Sequence, residues 1–286
     1  MSYNTGTTPT LAQLITGKFV PEIFSKLVID HVQSSLVVAD SVNTVYEKEL
    51  TKGSVVNIPV MSEISTSEVT PGTVASASST VGTAESITVD KWRYAAIEVS
   101  DMAKLENDPD YIDKSRKSLG YAISKYVDTT LGALFSTLSS SSVYGSDGQE
   151  MTDDILLAII QALDEADVPD DGNRCIIGDP STWVDLLKID KFVKSDYGAG
   201  KVVSTGQMGS IYNMPFKKTN NLTAATTGNY GAILHRDAIG LVIQENPRTK
   251  VVPIEQEFRT LVITDIIFGC AEIRDTFGRA FYTHKS

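Results

Sequence analysis

Apolar positions change their period several times along the chain. Val56, Ile58 and Val60 alternate with polar residues, the period of a strand. Ile87 and Val89, then Ile97 and Val99, repeat that signal further on. Between them the stretch from Ser62 to Ser86 is rich in Ser, Thr, Ala and Gly, with Pro71-Gly72 as turn chemistry. Taken singly, that stretch reads as a flexible loop or linker. Taken as one unit, Gly53 to Val99 predicts a long two-stranded ribbon. Strands of ~20 residues at ~3.3 Å each reach at most ~65 Å. A lone ribbon is marginal in water, and its open edges invite pairing with other chains. Such an element makes sense if another molecule receives it.

Other segments carry the helical period. Asp108-Pro109 is an N-cap followed by proline at the first helical position. Ile112, Leu119, Ile123, Tyr126, Thr130, Leu134 and Leu138 then recur so as to predict a helix to about Thr137, a rod of ~40 Å. Thr152-Asp153-Asp154 caps a second helix carrying Leu156, Ile159, Ile160 and Leu163. Asp179-Pro180 opens a third through Trp183, Leu186 and Leu187, and Arg174 to Gly178 reads as a buried strand. Tyr197-Gly198-Ala199-Gly200 predicts a loop, Ile211 to Thr219 a short strand region, Gly231 to His235 a strand, and Lys250 to Tyr282 a strand-rich tail. Ahead of these, Leu11, Leu14, Ile15 and Val20 suggest a short amphipathic piece, and Pro21 to Leu27 a helix opened by proline. This arm has too little apolar surface for a core of its own and must lie on something. Strands and helices without βαβ regularity indicate an α+β fold.

Composition narrows the chemistry. The 286 residues are 42% hydrophobic, 21% charged and 8% aromatic, as in a soluble globular protein. No apolar run approaches the ~20 residues that cross a bilayer, and Met1 to Gly6 has no basic or apolar secretion pattern. Cys175 and Cys270 sit in apolar contexts and read as reduced, buried, strand-borne thiols. The formal charge of -11 argues against a protein whose work is gripping phosphates. From Gly145 to Gly172 there are nine acids and no Lys or Arg, where a metal site or carboxylate pair would fit. Their spacing does not match an EF-hand loop. His31, His235 and His284 show no zinc-ligand spacing, and there is no nucleophile elbow, phosphate loop or dinucleotide fingerprint. No catalytic residue, metal ligand or cofactor is assigned.

The order of segments resembles the major capsid proteins of tailed bacteriophages, the Hong Kong 97-type fold, over nearly the whole chain. The matching stretches are Pro21 to Ser25, Lys52 to Pro59, Ile87 to Ile97, the long helix, Leu163 to Pro169, Arg174 to Pro180, and Gly209 to Phe216 with Thr219 to Leu222. None is individually diagnostic; their order and spacing carry the resemblance. It implies an N-terminal arm over 1–50, an extended β-hairpin loop over 51–100, and a peripheral domain with a spine helix over 101–150. An axial domain over 151–248 and the peripheral domain's C-terminal strands over 249–286 follow. It further implies a non-enzymatic shell subunit of the virion, assembled in the host cytoplasm as hexamers and pentamers around DNA that it does not read. An acidic wall suits that task, because a container lining should not adhere to its contents. Implied partners are a portal protein, a decoration or cement protein, and a separate scaffolding protein, since no long coiled-coil-like N-terminal segment is seen; no membrane is involved. Inter-subunit contacts are assigned to Lys52, Glu68, Pro71 and Trp92 of the extended loop. Tyr197, Gly198 and Gly200 are assigned to a loop near the capsomer axis. Lys52, Lys91, Asn220 and Asn246 are available for an isopeptide cross-link, but no pair is marked as poised and noncovalent maturation is expected.

Two other readings stay open at this point. One is a soluble enzyme or small-molecule binding protein using the acidic stretch 147–171; the other is an adhesive or surface-layer protein.

Overall fold

The computed structural model describes residues 37–48, 53–60, 64, 66, 68, 83–101, 111–139, 142–189 and 210–284. Among them lie ten strands in three sheets and three α-helices. The architecture is α+β, as the patterning predicts.

The first sheet is a two-stranded antiparallel ribbon of β1 (Val55–Val60) and β2 (Thr83–Thr88), with Val60 opposite Thr83 and Val55 opposite Thr88. The predicted ribbon is corrected at its far end. Val89 N–H donates to Ser54 O at 2.7 Å and closes the hairpin. The chain then leaves it, and β3 (Lys91–Ser100) pairs with a distant strand. Alternation continues through the break, but alternation does not name a partner.

The second sheet has the order β3-β9-β8 and is antiparallel throughout, built from β8 (Ile239–Ile254) and the central β9 (Arg259–Glu272). The register of β8 shifts between Ile243 and Arg248, where Asn246-Pro247 interrupts it. Proline is tolerated there because β8 is an edge strand.

The third sheet, β4-β10-β7-β5-β6, is mixed. Its members are β4 (Val143–Tyr144), β5 (Arg174–Gly178), β6 (Phe216–Lys218), β7 (Tyr230–His235) and β10 (Gly278–Tyr282). The sheets therefore divide the chain differently from the expected boundary at 248/249, which falls inside β8. The chain passes from the third sheet to the second at Arg236–Ala238 and returns at Asp275–Phe277. Residues 278–282, expected among peripheral strands, lie instead between β4 and β7.

Helix α1 (Tyr111–Ala133) continues as a 3-10 turn over Leu134–Ser136, close to the predicted end at Thr137. Its buried line is Leu119, Ile123, Val127, Leu131 and Phe135, a four-residue step that keeps one face inward. That face enters a single core containing Ile266 and Phe268 of β9 together with Ala232 and Leu234 of β7 and Ile177 of β5. The spine helix thus ties both large sheets together. A second core forms on the opposite side of the third sheet. There α2 (Asp153–Glu165) and α3 (Pro180–Lys188) bring Leu156, Ile159, Leu163 and Leu186 against Ile176, Ile233 and Phe281. Both helices start where their caps predict: Thr152 Oγ1 accepts from Ile155 N at 3.4 Å, and Asp179 Oδ1 accepts from Thr182 N at 2.9 Å.

Candidate assembly interface

The β3-β9-β8 sheet has two unlike faces. Directly opposed residues of an antiparallel pair share a face. One face presents Ile266 and Phe268 to α1, with Arg93 of β3 lying 5.0 Å over the Tyr126 ring of the helix. The other presents Trp92, Tyr94, Ala96 and Glu98 of β3 beside Ile267, Asp265, Ile263 and Leu261 of β9. Arg248, Lys250 and Val252 of β8 complete it.

One end of this second face is covered by the chain's own ribbon. Val56, Ile58, Ile87 and Val89 pack on Val242 and Ile273, with Ile267 and Ala271 alongside. The approach is so close that a Cβ on Gly269 would lie 2.3 Å from Thr88 O. Beyond the ribbon base the face is bare among the described residues: Trp92 is 69% exposed and Tyr94 74%. Two large aromatics beside half-buried Ile263 and Leu261 make an apolar surface of the kind that marks an interface.

A charge lies in the middle of this surface. Asp265 is buried, and Arg248 grips it with both prongs, Nε to Oδ1 and Nη2 to Oδ2, each at 2.9 Å. The Trp92 indole N–H donates to Oδ2 at 3.2 Å. The Arg248 guanidinium, helped by the indole, holds the carboxyl down to about 2 against the upward push of burial. Trp92 is thereby fixed by its polar edge while its ring faces outward. This arrangement was not legible in the sequence, since Asp265 lies 17 positions from Arg248 across an irregular strand and 173 from Trp92.

The other predicted contact residues fare unequally. Glu68 is exposed. Lys52, Pro71, Tyr197, Gly198 and Gly200 lie outside the described residues.

The acids of 147–171 do not converge. Asp147 accepts from Thr227 N and Gly228 N, both at 2.8 Å; Asp153 accepts from Tyr212 Oη at 2.9 Å; and Asp164 pairs with Arg174 at 2.7 Å. Asp171, bonded by the Asn173 side chain and backbone and by His235, is lowered to about 2. One group of candidate metal ligands does form: Glu150, Asp185 and His284, their ligand atoms within 4.8 Å of one another. Two of its members lie outside the acidic stretch, so the sequence reading missed it. Lys188 Nζ sits 2.9 Å from Glu150 and 3.0 Å from Asp185, and an ammonium there already supplies the positive charge. Cys175 is buried and Cys270 half-buried, both unpaired, with burial pushing both thiols up.

The model of the phage capsid protein family matches residues 41–276. The chain belongs to the phage capsid protein family. It is a major capsid protein, one that forms the head shell of a tailed phage. Its fold is the Hong Kong 97-type fold, and solved phage structures share it at low identity. A chain of Mycobacterium phage Che8 is 19% identical with a TM-score of 0.77, covering 92% of this chain and 97% of that one. The capsid of Cyanophage P-SCSP1u gives 16% and 0.72, with 93% of each chain covered. The mature capsid of bacteriophage PhiM1 gives 16% and 0.69, with 92% of each covered. No curated protein sequence matches. No helix among the described residues is long and apolar enough to cross a membrane.

Proposed function

We propose that this capsid protein assembles as hexamers and pentamers in which the ribbon of one subunit continues across the bare sheet face of the next. The observation that carries the reading is the division of that face. The subunit's own ribbon base seals one end, while Trp92 and Tyr94 remain exposed beside it. Ribbon residues 61–82 hold Met61, Ile64, Val69, Val74 and Val81 among small polar residues, with Glu63 and Glu68 as the only charges. That is apolar content for Trp92, Tyr94 and Leu261, with two carboxylates for the Lys250 and Arg248 side of the face.

The subunit acts without catalysis, as a wall whose charge of -11 keeps the packaged DNA from sticking. A separate scaffolding protein, a portal protein and a decoration or cement protein complete the head, which is assembled in the host cytoplasm. The loop with Tyr197, Gly198 and Gly200 lies near the capsomer axis, where the glycines let the backbone take different paths in five-fold and six-fold settings.

The test shortens the ribbon by joining Val60 to Thr83 through Asn-Gly, a two-residue turn suited to the hairpin. The pairing of β1 with β2 is kept. The expected product is a soluble subunit with the parent's melting temperature and no shells by negative-stain microscopy. Normal shells from the shortened chain would refute the reading.

A further inference from the structure

Three segments far apart in the chain meet beside α3. Asp185 lies on that helix, one turn before Lys188 at its last position. Glu150 precedes α2, and His284 follows β10. Each is delivered by bonds of its own. Asp185 is buried, and its Oδ2 accepts from Met151 N at 3.1 Å, which fixes the carboxylate and draws in the residue next to Met151. Thr283 N donates to Asn229 O and Thr283 Oγ1 to Asp179 Oδ2, both at 2.9 Å. The His284 carbonyl accepts from Ser181 Oγ, and the imidazole is thereby seated beside Asp185.

These groups do not satisfy one another. His284 Nδ1 is buried and 2.9 Å from Asp185 Oδ2, yet the contact lacks hydrogen-bond geometry, and the nitrogen has no other partner among the described residues. A buried polar atom in that state points to a missing bond. Lys188 Nζ bonds Glu150 and Asp185 but brings one positive charge to two carboxylates, so one negative charge stays uncompensated. An imidazole nitrogen and two carboxylate oxygens within 4.8 Å of one another are donors that first-row divalent metals accept. Calcium, which takes oxygen ligands, suits the set less well. Around one tetrahedral zinc, with bonds of ~2.0–2.2 Å, the ligand atoms would lie ~3.3 Å apart. The exposed Glu150 side chain can supply that closure.

We propose that Glu150, Asp185 and His284 bind a first-row divalent metal ion, zinc by preference, which displaces the Lys188 ammonium. The ion offsets both carboxylates, takes the His284 Nδ1 lone pair as a ligand, and keeps a position for water. Lys188 is exposed at the end of α3 and can turn into solvent as the ion enters. Bound there, the metal bolts the segment before α2, helix α3 and the end of β10 to one another. All three ligands belong to one chain, so the proposal is independent of the assembly reading above.

The probe is zinc chloride, added to the unassembled full chain after dialysis against a chelator. Titration calorimetry is expected to give a single ion per chain. The melting temperature should rise with zinc, since a ligand held only by the folded chain stabilises it. His284→Gln replaces the imidazole by an amide, a poor zinc ligand, and should weaken binding at least ~10-fold. Lys188→Met is the discriminating variant. Without zinc it should melt below the parent, because two carboxylates then face each other with no cation between them. With zinc it should recover, and it should bind the ion more tightly than the parent does, the competing ammonium being gone. A parent that binds no zinc by ~1 mM would overturn the proposal. So would equal zinc affinity in the parent and His284→Gln. A Lys188→Met chain that zinc neither restores nor binds more tightly would overturn it as well, since the ammonium would then be the only cation the site accepts.

Discussion

Asp128 offers the sharpest test of how the spine helix holds the chain entering it. The residue is on α1, wholly buried, and carries no cation beside it among the described ion pairs. Its Oδ2 accepts from Val37 N and its Oδ1 from Ala39 N, both at 3.0 Å. Segment 37–42, with Val38 and Val42 in the main core, is thereby pinned across the helix. Two effects oppose each other at the carboxyl. Burial pushes its pKa above the ordinary 3.8, while the backbone N–H groups and the Asn221 side chain pull it down; burial wins. Asp128→Ala removes the charge but leaves two partly buried N–H groups without an acceptor. At ~1–3 kcal/mol for each abandoned donor, less what is regained by no longer burying a charge, the expected cost is ~3 kcal/mol. For a chain of this size that corresponds to a fall of roughly 5 °C in melting temperature. Asp128→Asn keeps the shape and one acceptor oxygen, so its cost near neutral pH is about half as large. The pH dependence has a definite sign. A carboxyl whose folded pKa is raised contributes stability that is present below its unfolded value and lost as pH rises through the folded one. The stability of the parent relative to Asp128→Asn therefore grows as pH falls toward the ordinary carboxylate range. The assay is urea unfolding of the unassembled subunit at several pH values. An Asp128→Ala cost below ~1 kcal/mol would refute the pinning argument, and a parent that loses ground to Asp128→Asn on acidification would refute the burial argument.

Asp265 has the opposite sign. Its folded pKa is held down to about 2 by Arg248, so the pair contributes stability above the ordinary value of 3.8 that is lost as pH falls through about 2. The stability gap between the parent and Arg248→Met, measured by urea midpoint, should narrow over that window; a gap that widens there would contradict the assignment. Two glycines give a matched pair of opposite expectations. Gly269→Ala places a Cβ 2.3 Å from Thr88 O, where backbone cannot yield, and should cost ~1–3 kcal/mol and loosen the ribbon base to proteolysis. Gly120→Ala, on α1 with nothing within 4 Å of the added atom, should stabilise the subunit by ~0.5–1 kcal/mol by urea unfolding.

Legibility followed the range of each interaction. The caps at Thr152 and Asp179, the buried strand Arg174–Gly178 and the inward face of α1 depend on residues within a turn or two, and their periods state them directly. Strand pairing is not local. Ile87, Val89, Ile97 and Val99 keep one phase through the point where the chain leaves the ribbon, and only the Val89–Ser54 hydrogen bond marks the break. Strand β8 was hidden by its own irregularity. Gln244 to Arg248 carries the register shifts and Pro247, so the apolar runs Ile239 to Ile243 and Val251 to Ile254 do not read as one strand. The expected domain boundary fell in that gap.

The polar residues that organise the candidate interface were the hardest to see, for a related reason. An exposed tryptophan such as Trp92 is conspicuous in any sequence, and the resemblance already placed it at a contact. Asp265 is not conspicuous, because in Thr264-Asp265-Ile266 it reads as one polar residue in an apolar strand. Its meaning comes from Arg248, 17 positions earlier across a bulge, and from Trp92, 173 positions earlier on the opposite edge of the sheet. Together they turn a buried charge into a fixed support under an outward-facing ring. An antiparallel sheet can leave one face to solvent, but that face is then usually polar, whereas this one carries Trp92 and Tyr94. Here α1 covers one side and the ribbon base seals one end of the other; among the described residues the rest is bare, with Trp92 held by its bond to Asp265. The subunit's own core does not use that surface, and on the proposed reading it is where a second subunit of the capsid completes the fold.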